Sequence, residues 1–142
     1  MLITYVINRK KVEDMSDIPR ISDAEWEVMK VFWGTNHKLT ANDVIEKLSE
    51  NSDWKPATIK SLINRLLNKN ALGYEQEGKT YLYYPVVSEE ECVRAESNSF
   101  LQRLYGGALK PMFVNFLKQE KLSTEEVEEL KKILDEGQRR DE

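Results

Sequence analysis

The spacing of apolar positions changes twice along the chain, and each change marks a part of it. Ile59, Leu62, Ile63, Leu66 and Leu67 recur at i, i+3, i+4, i+7 and i+8, the single apolar stripe of an amphipathic helix. The stretch GYEQEGKTYLYYPVV (73–87) then switches to strand formers, with Tyr74, Tyr81, Leu82, Tyr83, Tyr84, Val86 and Val87 around the tight turn EGK (77–79). That pattern predicts a two-stranded hairpin. From Ser88 the helical spacing returns: Val93, Phe100, Leu101, Leu104 and Tyr105 share one side of a helix. Leu109, Met112, Phe113, Phe116 and Leu117 crowd the next, and Val127, Leu130, Ile133 and Leu134 stripe the last.

Helix starts are announced by polar residues. SDAE (22–25), TAND (40–43), SEEE (88–91) and STEE (123–126) each set a hydroxyl residue three before a carboxylate, the capping-box spacing that satisfies free amide hydrogens at a helix N-terminus. Another helix begins near Pro56, which lacks the hydrogen that would go unbonded at the first helical position. One more lies between GG (106–107) and KQEK (118–121), with Pro111 in its first turn or kinking it. The fold class that follows is mainly α with a small β-hairpin: a winged helix-turn-helix domain over 21–87, then a three-helix unit over 88–136 and a tail over 137–142. Residues 1–20 are expected as an N-terminal extension, with a loose tail the plainest reading; 1–14, which precede Met15, read as a dispensable extension, a disordered arm or the result of an upstream start choice. Trp26, Met29, Ile59, Leu62 and Leu66 are expected to form the core of the first domain.

Charge changes the picture at one helix. The chain carries 25 Asp+Glu against 21 Lys+Arg, a formal charge of −4, which argues against indiscriminate coating of nucleic acid. Residues 1–85 hold 12 bases and 12 acids, and 86–142 hold 9 bases and 13 acids, so the acidity lies in the second part. Yet DWKPATIKSLINRLLNKN (53–70) carries Lys55, Lys60, Arg65 and Lys69 with no acid after Asp53. Opposite its apolar stripe fall Ala57, Ser61, Asn64, Arg65 and Asn68, with Thr58 and Lys60 on the flanks. This outer face is short, polar and basic, without the Glu residues that a merely solvated helix mixes in for i, i+4 pairs. Arg65 has the donors for a guanine edge and Asn64 those for adenine, so the face suits a DNA major groove, with Lys79 at the hairpin turn reaching a phosphate. The plainer reading is a soluble helix with a solvated basic side.

The three C-terminal stripes belong to a segment too short for a closed core of its own. Burial against a second copy is the expected arrangement, and a twofold dimer gives DNA two half-sites related by symmetry. The alternative is a monomeric three-helix lobe packed on the first domain. Cys92 is the only cysteine and His37 the only histidine, so there is no intrachain disulfide and no Cys/His cluster for zinc or copper; no cofactor is expected. Cys92 reads as a small packing residue and His37 as a surface loop residue. The apolar run near the start is short and its basic residues follow it, the wrong order and length for a signal peptide or a membrane span, so a cytoplasmic protein without direct membrane contact is expected.

ISDAEWEVMKVFW (21–33), DWKPATIKSLINRL (53–66), KTYLYYPVV (79–87) and GGALKPMFVNFLKQEKLSTEEVEELKKIL (106–134) together resemble the penicillinase repressor (BlaI/MecI) family, in register from Ile21 to Leu134. The resemblance implies a dimeric transcriptional repressor. Its winged helix would sit on a palindromic double-stranded operator of TACA/TGTA type, and its C-terminal helices would form a homodimer. Many members repress β-lactam resistance genes until a membrane sensor's signal leads to their cleavage. Carried over, the reading helix starts at Pro56 and continues through Thr58, Lys60, Ser61 and Arg65. Where relatives often place a serine cap before the proline, this chain has Lys55, which trades helix-start stability for a possible phosphate contact.

The residues implied for DNA are therefore Lys55, Ala57, Thr58, Lys60, Ser61, Asn64, Arg65 and Lys79. Those for dimerisation are Leu101, Leu104, Tyr105, Leu109, Met112, Phe113, Phe116, Leu117, Val127, Leu130, Ile133 and Leu134. The family's cleavage between an Asn and a Phe falls on Asn115-Phe116; the look-alike Ser99-Phe100 lies one element early and lacks the Asn. The alternative is that Asn115 is ordinary helix surface and control takes another route. Copper-sensing relatives carry a C-terminal Cys-x-Cys that is missing here. Two other functions stand beside this one: a winged-helix module acting through protein contacts, and a repressor of other genes with a different inducer. No nucleophile motif or phosphate-cradling glycine loop points to an enzyme.

Overall fold

A computed structural model describes residues 18–140, so the first 17 residues of the expected N-terminal extension lie outside the described residues, as do the last two of the expected tail. The elements run α1 (Asp23–Trp33), α2 (Ala41–Ser49), α3 (Pro56–Asn68), β1 (Leu72–Glu77), β2 (Thr80–Pro85), α4 (Glu89–Tyr105), α5 (Leu109–Gln119) and α6 (Thr124–Arg140). Helix α6 continues through Gly137 into the stretch expected as a tail. Pro111 stands in the first turn of α5.

Local chemistry sets these boundaries. At α1 the Glu25 amide donates to Ser22 Oγ at 3.2 Å and the Ser22 amide to Glu25 Oε1 at 2.9 Å. Thr40 and Asp43 repeat the reciprocal pair at α2 (3.1 and 3.0 Å), and Ser123 and Glu126 at α6 (both 3.1 Å). At α4 the Glu91 amide donates to Ser88 Oγ, but that hydroxyl, rather than the Ser88 amide, reaches Glu91 Oε1 at 3.0 Å. Helix α3 ends where Asn70 enters the left-handed region (φ 64°). The Ala71 amide then reaches back to Leu66 O (2.9 Å) and the Asn70 amide to Leu67 O (3.0 Å), the paired bonds of a Schellman end. The hairpin turns through Gly78 at φ 62°, a conformation that favours glycine at the first of two turn positions.

Two compact units divide between Ser97 and Asn98, inside α4. In the first, Val28, Met29 and Phe32 of α1, Val44 and Leu48 of α2, and Ile59, Leu62, Ile63 and Leu66 of α3 form one buried cluster with Leu72, Val87 and Cys92. Met29, Ile59, Leu62 and Leu66 were expected there. Trp26 is only partly buried, at the rim, where it meets Trp33 edge to face at 5.3 Å. Trp33 Nε1 donates to Val87 O (3.0 Å), which ties the end of α1 to the chain just past the hairpin. A single bridge between Leu39 and Tyr83, with bonds of 3.0 and 2.7 Å, fastens the α1–α2 connection to β2.

The second unit is differently built. Neither α5 nor α6 has a buried residue among the described side chains, and Leu109, Ile133 and Leu134 are each about three-fifths exposed in the single chain. Its internal contacts centre on Phe100, which stacks on Phe116 (6.3 Å) and leans on Tyr105 (6.2 Å), while Asn115 Nδ2 donates to Tyr105 Oη at 2.9 Å.

Candidate nucleic-acid interface

Helix α3 buries Ile59, Leu62, Ile63 and Leu66 in the core, which fixes its rotation and turns the opposite side outward. Ala57, Thr58, Lys60, Ser61, Asn64 and Arg65 are all exposed on that side, as is Lys55 before it. Lys79 is exposed in the hairpin turn. None of Lys55, Lys60, Arg65 or Lys79 forms an ion pair among the described residues. Three free cations thus stand among small side chains at the start and outer face of α3, which carries no carboxylate, and a fourth stands in the hairpin turn.

The fourth base of the 53–70 stretch is used otherwise. Lys69, at the C-terminal end of α3, turns away from this face: its Nζ meets Glu25 Oε1 at 2.5 Å and Arg20 O at 2.9 Å. Glu25 is the one buried charged residue of the described core. Burial pushes its carboxyl up, but the Lys69 bond and those from the Ser22 amide and hydroxyl outweigh it and hold the group below the usual carboxylate value. The basic stripe of the sequence therefore splits into a free outer side and a structural lysine. Periodicity does not reveal this, because the partner lies far away in sequence.

The start of α3 is unusual. Lys55 occupies the N-cap position in extended conformation without a side-chain cap, and the first turn is closed by backbone alone, with Thr58 and Ile59 amides donating to Lys55 O at 3.0 and 3.2 Å. A cation at the positive end of a helix is unfavourable by itself and becomes favourable beside an anion. Lys55→Ser is expected to stabilise the first unit by about 1 kcal/mol by supplying the missing acceptor. Urea unfolding checks this, and an unchanged midpoint would mean that the helix start gains nothing from a cap.

Sequence reasoning named Tyr74, Tyr81 and Tyr83 only as strand formers. In the fold they gather beside α3: with Asn64 and Leu67 they line a shallow depression of about 210 Å3. Burial, with the neighbouring Tyr81 and Tyr74 adding, pushes the Tyr83 hydroxyl above its ordinary value, so it stays protonated at neutral pH. Elsewhere, no group of three or more His, Cys, Asp or Glu among the described residues has the arrangement to hold a metal ion, and no described helix is long and apolar enough to cross a membrane.

The residues expected at a dimer contact lie on the second unit. Leu104, Leu109, Phe116, Leu117, Ile133 and Leu134 are exposed in the single chain, and Leu101, Tyr105, Met112, Phe113, Val127 and Leu130 are half-buried. Asn115 and Phe116 are consecutive residues inside α5.

The family described as Penicillinase repressor matches residues 21–136. A penicillinase repressor of Bacillus licheniformis is 44% identical over 126 residues, spanning 89% of this chain and 98% of that protein. The methicillin resistance regulatory protein MecI of Staphylococcus aureus (strain N315) is 38% identical over 114 residues, spanning 80% and 92%. Among solved structures, the Bacillus licheniformis BlaI monomeric form in complex with the blaP half-operator shares 44% identity over 52% of this chain and 89% of that one, with a TM-score of 0.46.

Proposed function

The chain belongs to the penicillinase repressor family, and from that premise we propose that it is a dimeric, cytoplasmic transcriptional repressor that occupies a palindromic operator of TACA/TGTA type and performs no catalysis of its own. The observation that carries this reading is the outer face of α3: free Lys60 and Arg65 beside Ala57, Ser61 and Asn64, with no carboxylate among them. Small residues let the helix approach base edges closely. Arg65 supplies a bidentate donor pair for guanine, and the uncapped helix start with Lys55 suits a phosphate. Lys79 extends the positive reach to the hairpin turn.

The apolar stripes of α4, α5 and α6 support a homodimer through the second unit, since a second copy would cover surface that a lone chain leaves wet. Two reading heads on one dimer match the twofold symmetry of a palindrome. Induction proceeds by cleavage between Asn115 and Phe116, by a protease under control of a sensor system, and the regulated genes include β-lactam resistance genes. Because the bond lies within α5, a protease has to open a turn of helix to reach it.

The test is footprint titration on operator and random duplexes. Arg65→Ala is expected to cost about 1–3 kcal/mol on the operator and to relax discrimination at one base pair. Lys60→Ala and Lys79→Ala should weaken all sequences alike and lower the salt slope by about 1 each. Operator affinity unchanged in Arg65→Ala would remove that residue from the reading face.

A further inference from the structure

Strand register sorts the hairpin's side chains onto two faces of opposite character. Tyr74 lies opposite Tyr83 and Gln76 opposite Tyr81, so these four share one face. Gly73, Glu75 and Glu77 lie opposite Tyr84, Leu82 and Thr80 and occupy the other. Both strand carboxylates are thus on the second face, where Glu75 is also neutralised by Lys38 at 2.5 Å. The first face is the one beside the reading side of α3, because Tyr74, Tyr81 and Tyr83 share their depression with Asn64 and Leu67. A polyanion drawn against Asn64 would therefore meet an uncharged, phenol-bearing strip of hairpin, while the acids stand on its far side.

Within that strip Tyr74 and Tyr81 are 50% and 43% exposed and touch edge to face at 5.4 Å. The ring contact accounts for the two aromatic bodies, and phenylalanine would serve it equally. It does not use the hydroxyls, and neither hydroxyl has a hydrogen-bond partner among the described residues. A neutral O–H donor next to a groove-reading helix has an obvious class of acceptor, since much of the hydrogen bonding at protein–DNA interfaces goes to phosphate and sugar oxygens, tyrosine included. Gln76 is less free, as its Nε2 already donates to Gly78 O at 3.1 Å.

We propose that Tyr74 and Tyr81 are a second, uncharged part of the DNA interface, their hydroxyls donating to the sugar–phosphate backbone along the edge of the groove that α3 enters. The inference rests on the reading of α3 as the operator helix, and it adds residues of a different chemistry. Contacts of this kind fix the depth and angle of the helix without carrying sequence information. They also release no counterions, because no charge is neutralised.

The test uses the full chain and the variants Tyr74→Phe, Tyr81→Phe and the double change, with Arg65→Ala and Lys60→Ala beside them. Phenylalanine keeps the ring pair, so the thermal midpoint should not move. The double variant should bind operator and random duplex about fivefold to a hundredfold more weakly, the size expected for two neutral hydrogen bonds, with base preference and salt slope unchanged. Lys60→Ala, by contrast, lowers the slope. Phosphate ethylation interference gives an independent readout: backbone positions that block the parent should cease to matter in Tyr81→Phe. If the double variant binds like the parent while Arg65→Ala weakens the operator complex, the tyrosine contacts are overturned and the reading of α3 stands. If the parent binds no duplex, both fall. A loss of affinity that tracks a lowered thermal midpoint would assign the tyrosines to hairpin stability alone and would also overturn the proposal.

Discussion

Ending the chain after Asn115 should turn the proposed dimer into a monomer and weaken operator binding by about a hundredfold or more. The truncation mimics the product of a cut at Asn115-Phe116. It removes Phe116, Leu117 and the whole stripe of Val127, Leu130, Ile133 and Leu134 on α6, while the buried cluster of the first unit, which ends at Cys92, stays whole. Each apolar side chain that loses its cover forfeits roughly 1.5–3 kcal/mol, so losing six outweighs what holds a modest dimer together. Each remaining head then binds alone, without the effective concentration that tethering provides. Sedimentation and footprint titration check both halves. A fragment that still sediments as a dimer, or a full chain that is monomeric at micromolar concentration, would defeat the assignment of the interface to α5 and α6. In cells treated with a cell-wall antibiotic, mass spectrometry should find fragments ending at Asn115. Operator release with the chain intact, or cut elsewhere, would exclude that bond as the switch.

Lys69→Met should destabilise the first unit by about 2–3 kcal/mol at neutral pH, less than the roughly 3–5 kcal/mol for breaking a fully buried pair, because Lys69 itself is 37% exposed and partly solvated. Methionine keeps most of the stem but leaves Glu25, 1% exposed, charged without its partner. The pH dependence distinguishes charge from packing. In the parent the Glu25 carboxyl is held below its ordinary value, so its contribution is fully present above that ordinary value and is lost as pH falls through the lower folded one. In the variant burial is opposed only by the Ser22 bonds, so the folded carboxyl is held down less and protonation relieves the strain of an unpaired charge. The stability gap should therefore be wide at neutral pH and narrow in acid. Thermal unfolding at about pH 7 and pH 3 measures it, spanning the ordinary carboxylate range. An equal loss at both would mean that the lysine stem, not its charge, was removed.

Features that depend on neighbours in sequence were legible without coordinates. The caps at Ser22, Thr40, Ser88 and Ser123 need only a hydroxyl and a carboxylate three apart, and all four begin helices. The stripe of α3 places Lys60, Ser61 and Arg65 outward because the turn of a helix leaves no other side for them. What escaped involves distant partners. Lys69 looks like one more base of the 53–70 stretch until α1 brings Glu25 beside it. Leu39 lies two residues past His37, which reads as surface loop, and its bridge to Tyr83 exists only once the hairpin is docked. Tyr74 and Tyr81 are strand formers by type, and only the register separates their face from that of Glu75 and Glu77. Trp26 fits a helical core stripe by spacing, yet Val28 and Phe32 hold the centre while it closes the edge.

Cys92, near the start of α4, is 1% exposed, and burial, with the charges of Glu91 and Glu96 adding, pushes its thiol up to about 11. The thiolate is the form that attacks electrophiles, and at neutral pH only about one thiol in ten thousand is ionised. Peroxide therefore finds no nucleophile to carry to sulfenic acid in the closed fold, and maleimides or iodoacetamide have no route to the sulfur. A thiol reagent that does label the chain is counting molecules whose first unit has come open, which makes this lone thiol a clock for unfolding already set into the core.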